Sequence, residues 1–149
     1  MVKMTNRIAI LLLLFLLGCK GEKTSTYFTP QKALYYFKGI QEVCDRDNGA
    51  LWGKNLYGPI MFIDRASRRM VSNMPDKEGL LKGKDGVFTG VYPKELLISN
   101  TPVNYGGTLF AMTPLPVEED EFRIKTQAIH SLFHRFQRMS GTSSFGYNT

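Results

Sequence analysis

Two stretches with helical periodicity, residues 30–47 and 118–139, enclose a middle segment of short apolar runs. The apolar side chains of the first stretch recur at the spacing of one helix face: Ala33, Leu34, Phe37, Ile40 and Cys44. Thr29 is a suitable N-cap for this helix, and Pro30 suits its first turn. Because each helix must bury its apolar face against another element, the order helix, strands, helix predicts an α+β domain.

The middle segment predicts a small, mostly antiparallel sheet. Its strand candidates are four apolar runs: 59–64, 69–72, 86–91 and 107–112. The first two are joined by a short polar turn, which is typical of a β-hairpin. Pro114 and Pro116 would stop the last strand, because proline cannot donate to a strand ladder. Residues 73–85 contain proline, glycine and charges, so they favour a loop.

The second helix is predicted to begin in the acidic stretch 118–121, which suits the positive end of the helix dipole. Its core face would consist of four side chains within one arc: Ile129, Leu132, Phe133 and Phe136. An adjacent stripe would lie at the border between core and water: His130, His134 and Gln137. The remaining side chains of this region would point toward solvent: Ser131, Arg135 and Arg138.

The N-terminus predicts an export signal and not a part of the fold. The apolar run 8–17 follows a positively charged start and is shorter than the roughly 20 apolar residues of a transmembrane helix. The run ends in LLGC at residues 16–19, which resembles a lipobox, the cleavage and lipidation signal of bacterial lipoproteins. We therefore predict a signal peptide over residues 1–18 and lipidation of Cys19. The alternative is an uncleaved signal anchor.

A lipid on Cys19 would tether the protein to the bacterial cell envelope, because acyl chains partition into the membrane. Lys20, and not Asp, follows this cysteine, which favours the outer membrane over the inner one. Residues 19–29 predict a polar tether. Residues 30–149 then form a single α+β domain, and an ending without a closing element indicates that this domain is truncated.

Charge and cysteine content narrow the class of protein. The formal charge is +6, and removal of Lys3 and Arg7 with the signal peptide leaves +4. This excess is scattered and the chain is exported, so both features argue against a nucleic-acid partner. After lipidation only Cys44 keeps a free thiol, so the fold cannot depend on an internal disulfide. We expect Cys44 to be a small buried residue of the first helix.

His130 and His134 are the candidate metal ligands. One helical turn separates them, so both imidazoles can reach one zinc ion at Zn–N distances of about 2.0–2.1 Å. Such pairs also occur on ordinary amphipathic helices, where a histidine at the core border bonds a carbonyl or water. The spacing alone leaves both interpretations open.

Three groups of motifs between Leu51 and Gln137 carry a resemblance to a known family. The first group is LWGKNLYGP at 51–59 with the segments 62–64 and 69–73 that follow it. The second group comprises the segments 99–102, 106–112 and 114–116. The third group is Arg123 followed by HSLFHRFQ at 130–137. In these motifs and their order the chain resembles an uncharacterised family of exported bacterial zincin-like proteins. In that family the last motif usually reads H-E-x-F-H-R-x-Q. The resemblance implies an active-site helix under a small sheet whose edge strand binds an extended peptide.

The resemblance also implies roles for single residues. His130 and His134 would bind zinc, and the side chain at position 131 would polarise the zinc-bound water and take its proton. Four residues of the first motif would belong to the β framework and not to the chemistry: Trp52, Gly53, Tyr57 and Gly58. The simpler interpretation of these residues is packing and turns, and we favour it.

The chain departs from the family pattern at two points. Ser131 stands in the position of the glutamate, and loss of a general base costs on the order of 10²–10⁴ in rate. Catalytic zinc sites hold three protein ligands, but Ser140 stands where a metzincin has its third histidine. No carboxylate follows the pair before Thr149, where a gluzincin would supply one. We therefore expect a degenerate or truncated metallopeptidase-like domain with zinc as its candidate cofactor, and no catalytic activity.

Two other interpretations stay open. One is a non-enzymatic lipoprotein module that holds a peptide, glycan or protein partner on its sheet edge without metal. The other is the N-terminal part of an intact metalloenzyme that is completed beyond Thr149. A zincin without its C-terminal helices would leave apolar surface exposed, so we expect marginal stability or association with a partner.

Overall fold

The computed structural model describes residues 28–115 and 120–142. Within them the elements are α1 (Pro30–Asp47), β1 (Ile60–Asp64), β2 (Arg69–Ser72), β3 (Lys82–Lys84), β4 (Val87–Val91), β5 (Pro102–Tyr105), β6 (Thr108–Leu115) and α2 (Glu121–Ser140). The strands form one sheet in the order β3-β4-β2-β1-β6-β5. Only β1 and β6 pair in parallel among these strands; the other neighbours are antiparallel. The predicted α+β fold with a mostly antiparallel sheet is confirmed.

The first helix begins and ends at the predicted residues. The Thr29 hydroxyl accepts a hydrogen bond from Lys32 N at 3.2 Å, which caps the first turn. Asn48 ends the helix in the left-handed conformation, with φ 45°. Leu34 is only partly buried, and the neighbouring Tyr36 is buried instead. The predicted apolar face is thus slightly rotated about the helix axis.

The predicted hairpin is present, with Phe62 of β1 opposite Val71 of β2. The buried Asp64 carboxylate accepts a hydrogen bond from Ala66 N at 2.8 Å, which closes the turn. In the same turn Arg68 has φ 59° and donates from Nη2 to the carbonyl oxygens of Pro93 and Leu96, both at 2.6 Å. The turn therefore also holds the loop that follows β4.

Two predictions about strands are wrong, and one strand was missed. β3 lies inside the predicted loop 73–85, and β5 was not predicted at all. β6 does not stop before Pro114 but continues to Leu115. The backbone groups of Ala111 and Leu115 form hydrogen bonds on the side of β1. Backbone groups of successive residues in a strand point to alternate sides, so the nitrogen of Pro114 points away from β1 and toward the side of β5. On that side β5 no longer pairs, so the missing N–H costs no ladder bond.

Both helices pack on one face of the sheet, and loops cover the other face. Ile60 and Phe62 belong to the cluster that contains the helices, whereas Met61 and Ile63 belong to the opposite cluster. The Phe62 ring stacks on Phe37 of α1 with centroids 5.4 Å apart. Because β1 is covered on both faces, all five of its residues are buried, and its first four form an apolar run without alternation before Asp64.

The second helix begins at Glu121, where the Asp120 carboxylate accepts from Phe122 N at 2.9 Å. Residues 118 and 119 of the predicted acidic start lie outside the described residues, as do the signal peptide, Cys19 and nearly all of the tether. Within the described residues, neither helix has the length and apolar character needed to cross a membrane.

Candidate metal centre

The two histidines of α2 face each other across one helical turn. The Nε2 atoms of His130 and His134 lie 2.9 Å apart, and the ring planes are perpendicular with centroids 4.4 Å apart. His130 is exposed and His134 is partly buried, as expected for the border between core and water. The pair therefore lies where a cation from solvent can reach both rings.

The orientation of His134 suits metal binding. Its Nδ1 lies 3.0 Å from Oε1 of Gln137. With the amide oxygen as acceptor, the proton of His134 lies on Nδ1 and its Nε2 accepts from Nε2–H of His130, a proton that a bound metal ion would displace. Two nitrogens bound tetrahedrally to one zinc ion lie about 3.3 Å apart, so a small separation of the two rings would admit the ion.

A third ligand is missing from the described part of the chain. Among residues 28–115 and 120–142, no group of three His, Cys, Asp or Glu side chains lies close enough to hold a metal ion. The residues present fit a two-histidine site of the kind that binds zinc weakly. They do not fit a catalytic zinc centre, which holds three protein ligands.

Ser131 does not point toward solvent, as the sequence predicted, but is completely buried. Its hydroxyl accepts a hydrogen bond from the Thr113 hydroxyl of β6 at 3.1 Å. Its own proton goes to Asn100 Oδ1 at 2.8 Å or to Gln127 O at 3.0 Å. The residue in the general-base position is therefore part of the contact between helix and sheet.

The error has a physical cause in the way α2 packs. Its buried residues are Ile124, Ala128, Ser131 and Leu132, a stripe that faces the sheet. Ala128 and Ser131 are small, and small residues let a helix approach a neighbouring element closely. Of the predicted core face, Ile129, Phe133 and Phe136 are only partly buried and pack at the edge of the core. The side of α2 that contacts the sheet thus combines the apolar Ile124 and Leu132 with the small Ala128 and Ser131.

Arg135 also departs from the prediction, whereas Arg138 agrees with it. Arg135 is partly buried, and its Nε donates to the carbonyl oxygen of Leu109 at 2.8 Å. Burial lowers the pKa of this guanidinium below its usual value. Arg138 is exposed and donates from Nη1 to Pro102 O at 2.9 Å. Together the two arginines connect α2 to the last two strands.

The WGKNLYGP motif lies in the loop between α1 and β1 and not in the β framework. For Trp52, Gly53, Tyr57 and Gly58 the interpretation as packing and turn residues therefore holds, and the one implied by the resemblance does not. The Trp52 ring packs against Phe133 of α2 with centroids 4.3 Å apart. The loop is therefore a packing element for the second helix.

Asn73 is a structural residue whose role the sequence did not reveal. Its buried amide accepts from Ile60 N at 2.7 Å and donates to Gly58 O at 3.0 Å. It also donates to the Tyr57 hydroxyl at 3.1 Å. These bonds fix the chain where it enters β1. An asparagine that follows a strand is too common a pattern to predict this role.

Cys44 is buried, as predicted, with 4% of its surface exposed. Burial, with a smaller effect from Asp45 and Asp47, raises the pKa of its thiol from 9.0 to about 11. A nucleophilic cysteine needs a lowered pKa, so Cys44 is a packing residue of α1.

Comparison with protein-family models, with curated proteins and with solved structures gives no match. The resemblance to zincin-like proteins therefore stays a prediction from the order of the motifs. The geometry of α2 and its neighbours is the basis for the functional proposal.

Proposed function

We propose that this chain is a lipid-anchored lipoprotein of the bacterial cell envelope whose zincin-like domain has lost peptidase activity. One observation carries the second half of this proposal. The Ser131 hydroxyl is enclosed by Thr113, Asn100 and Gln127, so the general-base position serves packing. The order of the motifs and the HxxxH pair support the zincin-like assignment.

The chemistry of the site supports an inactive domain. A bound zinc ion would supply Lewis-acid polarisation of a water or a carbonyl. Hydrolysis would still require a group that takes the proton of the water. Neither the Ser131 hydroxyl nor the Gln137 amide is a base at neutral pH. His134 already uses Nδ1 to bond Gln137 and would use Nε2 to bind the metal.

Zinc content and peptide hydrolysis test the proposal together. The full chain is purified in a non-ionic detergent beside a His130→Ala/His134→Ala variant, and zinc is measured after dialysis against buffered zinc. We expect the unmodified protein to bind zinc and the variant to bind none. We also expect the unmodified protein to hydrolyse a peptide library no faster than the variant does. Hydrolysis that requires both zinc and the two histidines would overturn the proposal.

The lipid anchor has its own test. Growth with labelled palmitate should label the full chain, and Cys19→Ala should remove the label. Cys44→Ala is the matched control, because Cys44 is the other cysteine of the sequence and is buried. Equal labelling of the unmodified chain and the Cys19→Ala variant would contradict the proposed membrane partnership.

The second candidate function, a non-enzymatic binding module, is favoured by a different observation. A groove of about 390 Å³ lies between the loop 54–59 and the C-terminal half of α2. This volume is in the range of small-ligand sites.

A further inference from the structure

The groove between the loop 54–59 and α2 contains positive charge without a matching negative charge. Lys54 and Arg135 line it, and no carboxylate of the described residues does. Much of its remaining wall is apolar and comes from Leu56, Phe136 and Met139. We call it the Arg135 groove.

The Arg135 guanidinium has donors to spare. It carries five N–H groups, of which Nε–H bonds Leu109 O at 2.8 Å. Within the described residues, no other group accepts from it and no carboxylate pairs with it. In the same part of the chain, no completely buried side-chain nitrogen or oxygen lacks a partner. The Nη atoms of Arg135 are therefore open to the groove.

The loop leaves space for this guanidinium by means of Gly58. A Cβ atom at this position would lie 2.5 Å from Nη1 and 3.1 Å from Cζ of Arg135. The backbone of Gly58 is not in the left-handed region, so space and not conformation explains the glycine. The Arg135 guanidinium is held in one orientation by its hydrogen bond to Leu109 O on one side and by the backbone of Gly58 on the other. A fixed guanidinium loses less entropy when it binds.

The geometry favours a carboxylate as the ligand group. One edge of a guanidinium carries two parallel N–H groups that match the two oxygens of a carboxylate in a bidentate pair. Because Nε bonds Leu109 O, the edge formed by Nη1 and Nη2 is the one available to the ligand. A partly buried cation without a counter-charge also gains more from an anion than an exposed cation does. The negative end of the α2 dipole lies near Met139 and Ser140 of the same groove and opposes an anion, but this effect is weaker than a hydrogen bond between charged groups.

The apolar wall determines the rest of the ligand. Burial of the exposed Met139 and the partly buried Phe136 requires a hydrocarbon group beside the carboxylate. A bare inorganic anion would leave this surface in water. We propose that the Arg135 groove binds an organic carboxylate with an apolar substituent, and that Arg135 is the residue that pairs with the carboxylate. This binding does not depend on metal at His130 and His134.

A pair of ligands matched in shape but different in charge tests the proposal without altering the protein. N-acetyl-leucine and N-acetyl-leucinamide differ only in the carboxylate, and each is titrated into the ¹⁵N-labelled full chain in a non-ionic detergent. The readout is the Nε–Hε resonance of Arg135, which is assigned by its loss in Arg135→Gln. We expect the acid to shift this resonance at roughly millimolar concentration and the amide to bind on the order of 10- to 100-fold more weakly. Equal binding of acid and amide, or no shift with either, would overturn the proposal.

Variants then locate the binding. Affinity for the acid, measured in the variants from the backbone amide shifts of the groove residues, should fall by a similar factor in Arg135→Gln. It should fall more modestly in Gly58→Ala, because the new methyl group displaces Nη1. Arg138→Gln is the matched control, since Arg138 lies on the same helix but outside the groove, and its affinity should stay within about twofold. Binding that survives in Arg135→Gln, or is lost equally in Arg138→Gln, would contradict the assignment. An organic carboxylate with an apolar substituent can be a peptide C-terminus or a fatty acid, and titration with hexanoate distinguishes them. Tighter binding of N-acetyl-leucine indicates a peptide C-terminus, and tighter binding of hexanoate indicates a fatty acid.

Discussion

The hydroxyl of Thr113 donates a hydrogen bond to the hydroxyl of Ser131 across 3.1 Å, in a completely buried contact between β6 and α2. In the proposed zincin-like arrangement, Ser131 occupies the position of the general base. If the proposed function is correct, the contact links the loss of the general base to the stability of the fold.

Ser131→Ala should destabilise the protein by about 1–3 kcal/mol, because the Thr113 and Asn100 side chains each lose a buried partner. Addition of Thr113→Val should recover part of this loss, since replacement of both partners removes the unsatisfied hydroxyl. Urea unfolding measures both effects. Ser140→Ala, at an exposed serine of the same helix, is the control and should change stability by less than about 0.5 kcal/mol. Equal effects at positions 131 and 140 would refute a structural role for Ser131.

Asn73→Ala should leave Ile60 N and Gly58 O without their partner at the entry to β1. Each buried backbone group that is left unpaired costs about 1–3 kcal/mol. Thermal unfolding of Asn73→Ala beside Asn104→Ala, an exposed residue of β5, measures the difference. A melting temperature equal to that of the control would mean that water replaces the amide.

Stability should fall in acid through Asp76, which is 5% exposed. Burial raises the pKa of its carboxyl, but hydrogen bonds from Leu81 N and Leu80 N lower it further, so the folded pKa lies below the usual value. The contribution of this carboxylate is therefore complete above the unfolded pKa of about 3.9 and is lost as the pH falls through the folded pKa.

Asp76→Asn tests this pH dependence. An amide can accept only one of the two short backbone bonds well, so the variant should melt below the unmodified protein at neutral pH. The difference should shrink as the pH approaches the folded pKa. Glu95→Gln, at an exposed carboxylate, should give a small difference at every pH. A constant gap between the unmodified protein and Asp76→Asn down to strong acid would contradict the assignment.

Cys44 should resist thiol reagents in the folded protein. The rise of its pKa from 9.0 to about 11 lowers the thiolate fraction at neutral pH by about 100-fold. Labelling of the Cys19→Ala variant with a disulfide reagent, in buffer and then in urea, measures the ratio of the two rates. The contribution of the buried, protonated Cys44 thiol to the free energy of unfolding is complete below its unfolded pKa of 9.0. It is lost as the pH rises through the folded pKa of about 11. Equal labelling rates with and without urea would show that Cys44 is open to solvent.

Gln137→Ala should weaken zinc binding at His130 and His134 by roughly 10- to 100-fold, the usual effect of losing a partner that orients a ligand histidine. Zinc titration in competition with a chromogenic chelator gives the ratio. Thr126→Ala, at an exposed residue of the same helix, is the control. Unchanged affinity in Gln137→Ala would mean that the ring of His134 is oriented by the backbone alone.

The elements that the sequence predicted well are those with local causes. The Thr29 cap and the β1–β2 hairpin depend on residues close together in the chain. β3 could not be predicted, because it is three residues long, fully exposed and made of lysine and glycine. β5 begins at a proline and exists because β6 offers it a pairing partner. Edge strands of this kind carry little apolar pattern of their own.

The candidate site shows the same division. The spacing of His130 and His134 on one helix predicts their proximity. The burial of Ser131 could not be read from it, because that burial depends on Thr113 and Asn100, which come from other parts of the chain. The open donors of Arg135 depend on Gly58 in a distant loop. Periodicity places a side chain on a helix, but the neighbouring elements decide whether it is exposed.

The parallel pairing of β1 with β6 sets a condition on the order of folding. These strands lie side by side in the middle of the sheet, yet β6 begins at Thr108 and β1 begins at Ile60. During synthesis or export the hairpin of β1 and β2 can form early, but one side of β1 stays open until β6 arrives. Such long-range pairing slows folding and leaves an unpaired apolar strand in the meantime. A chain that crosses a membrane from its N-terminus would therefore complete its sheet only after β6 has passed.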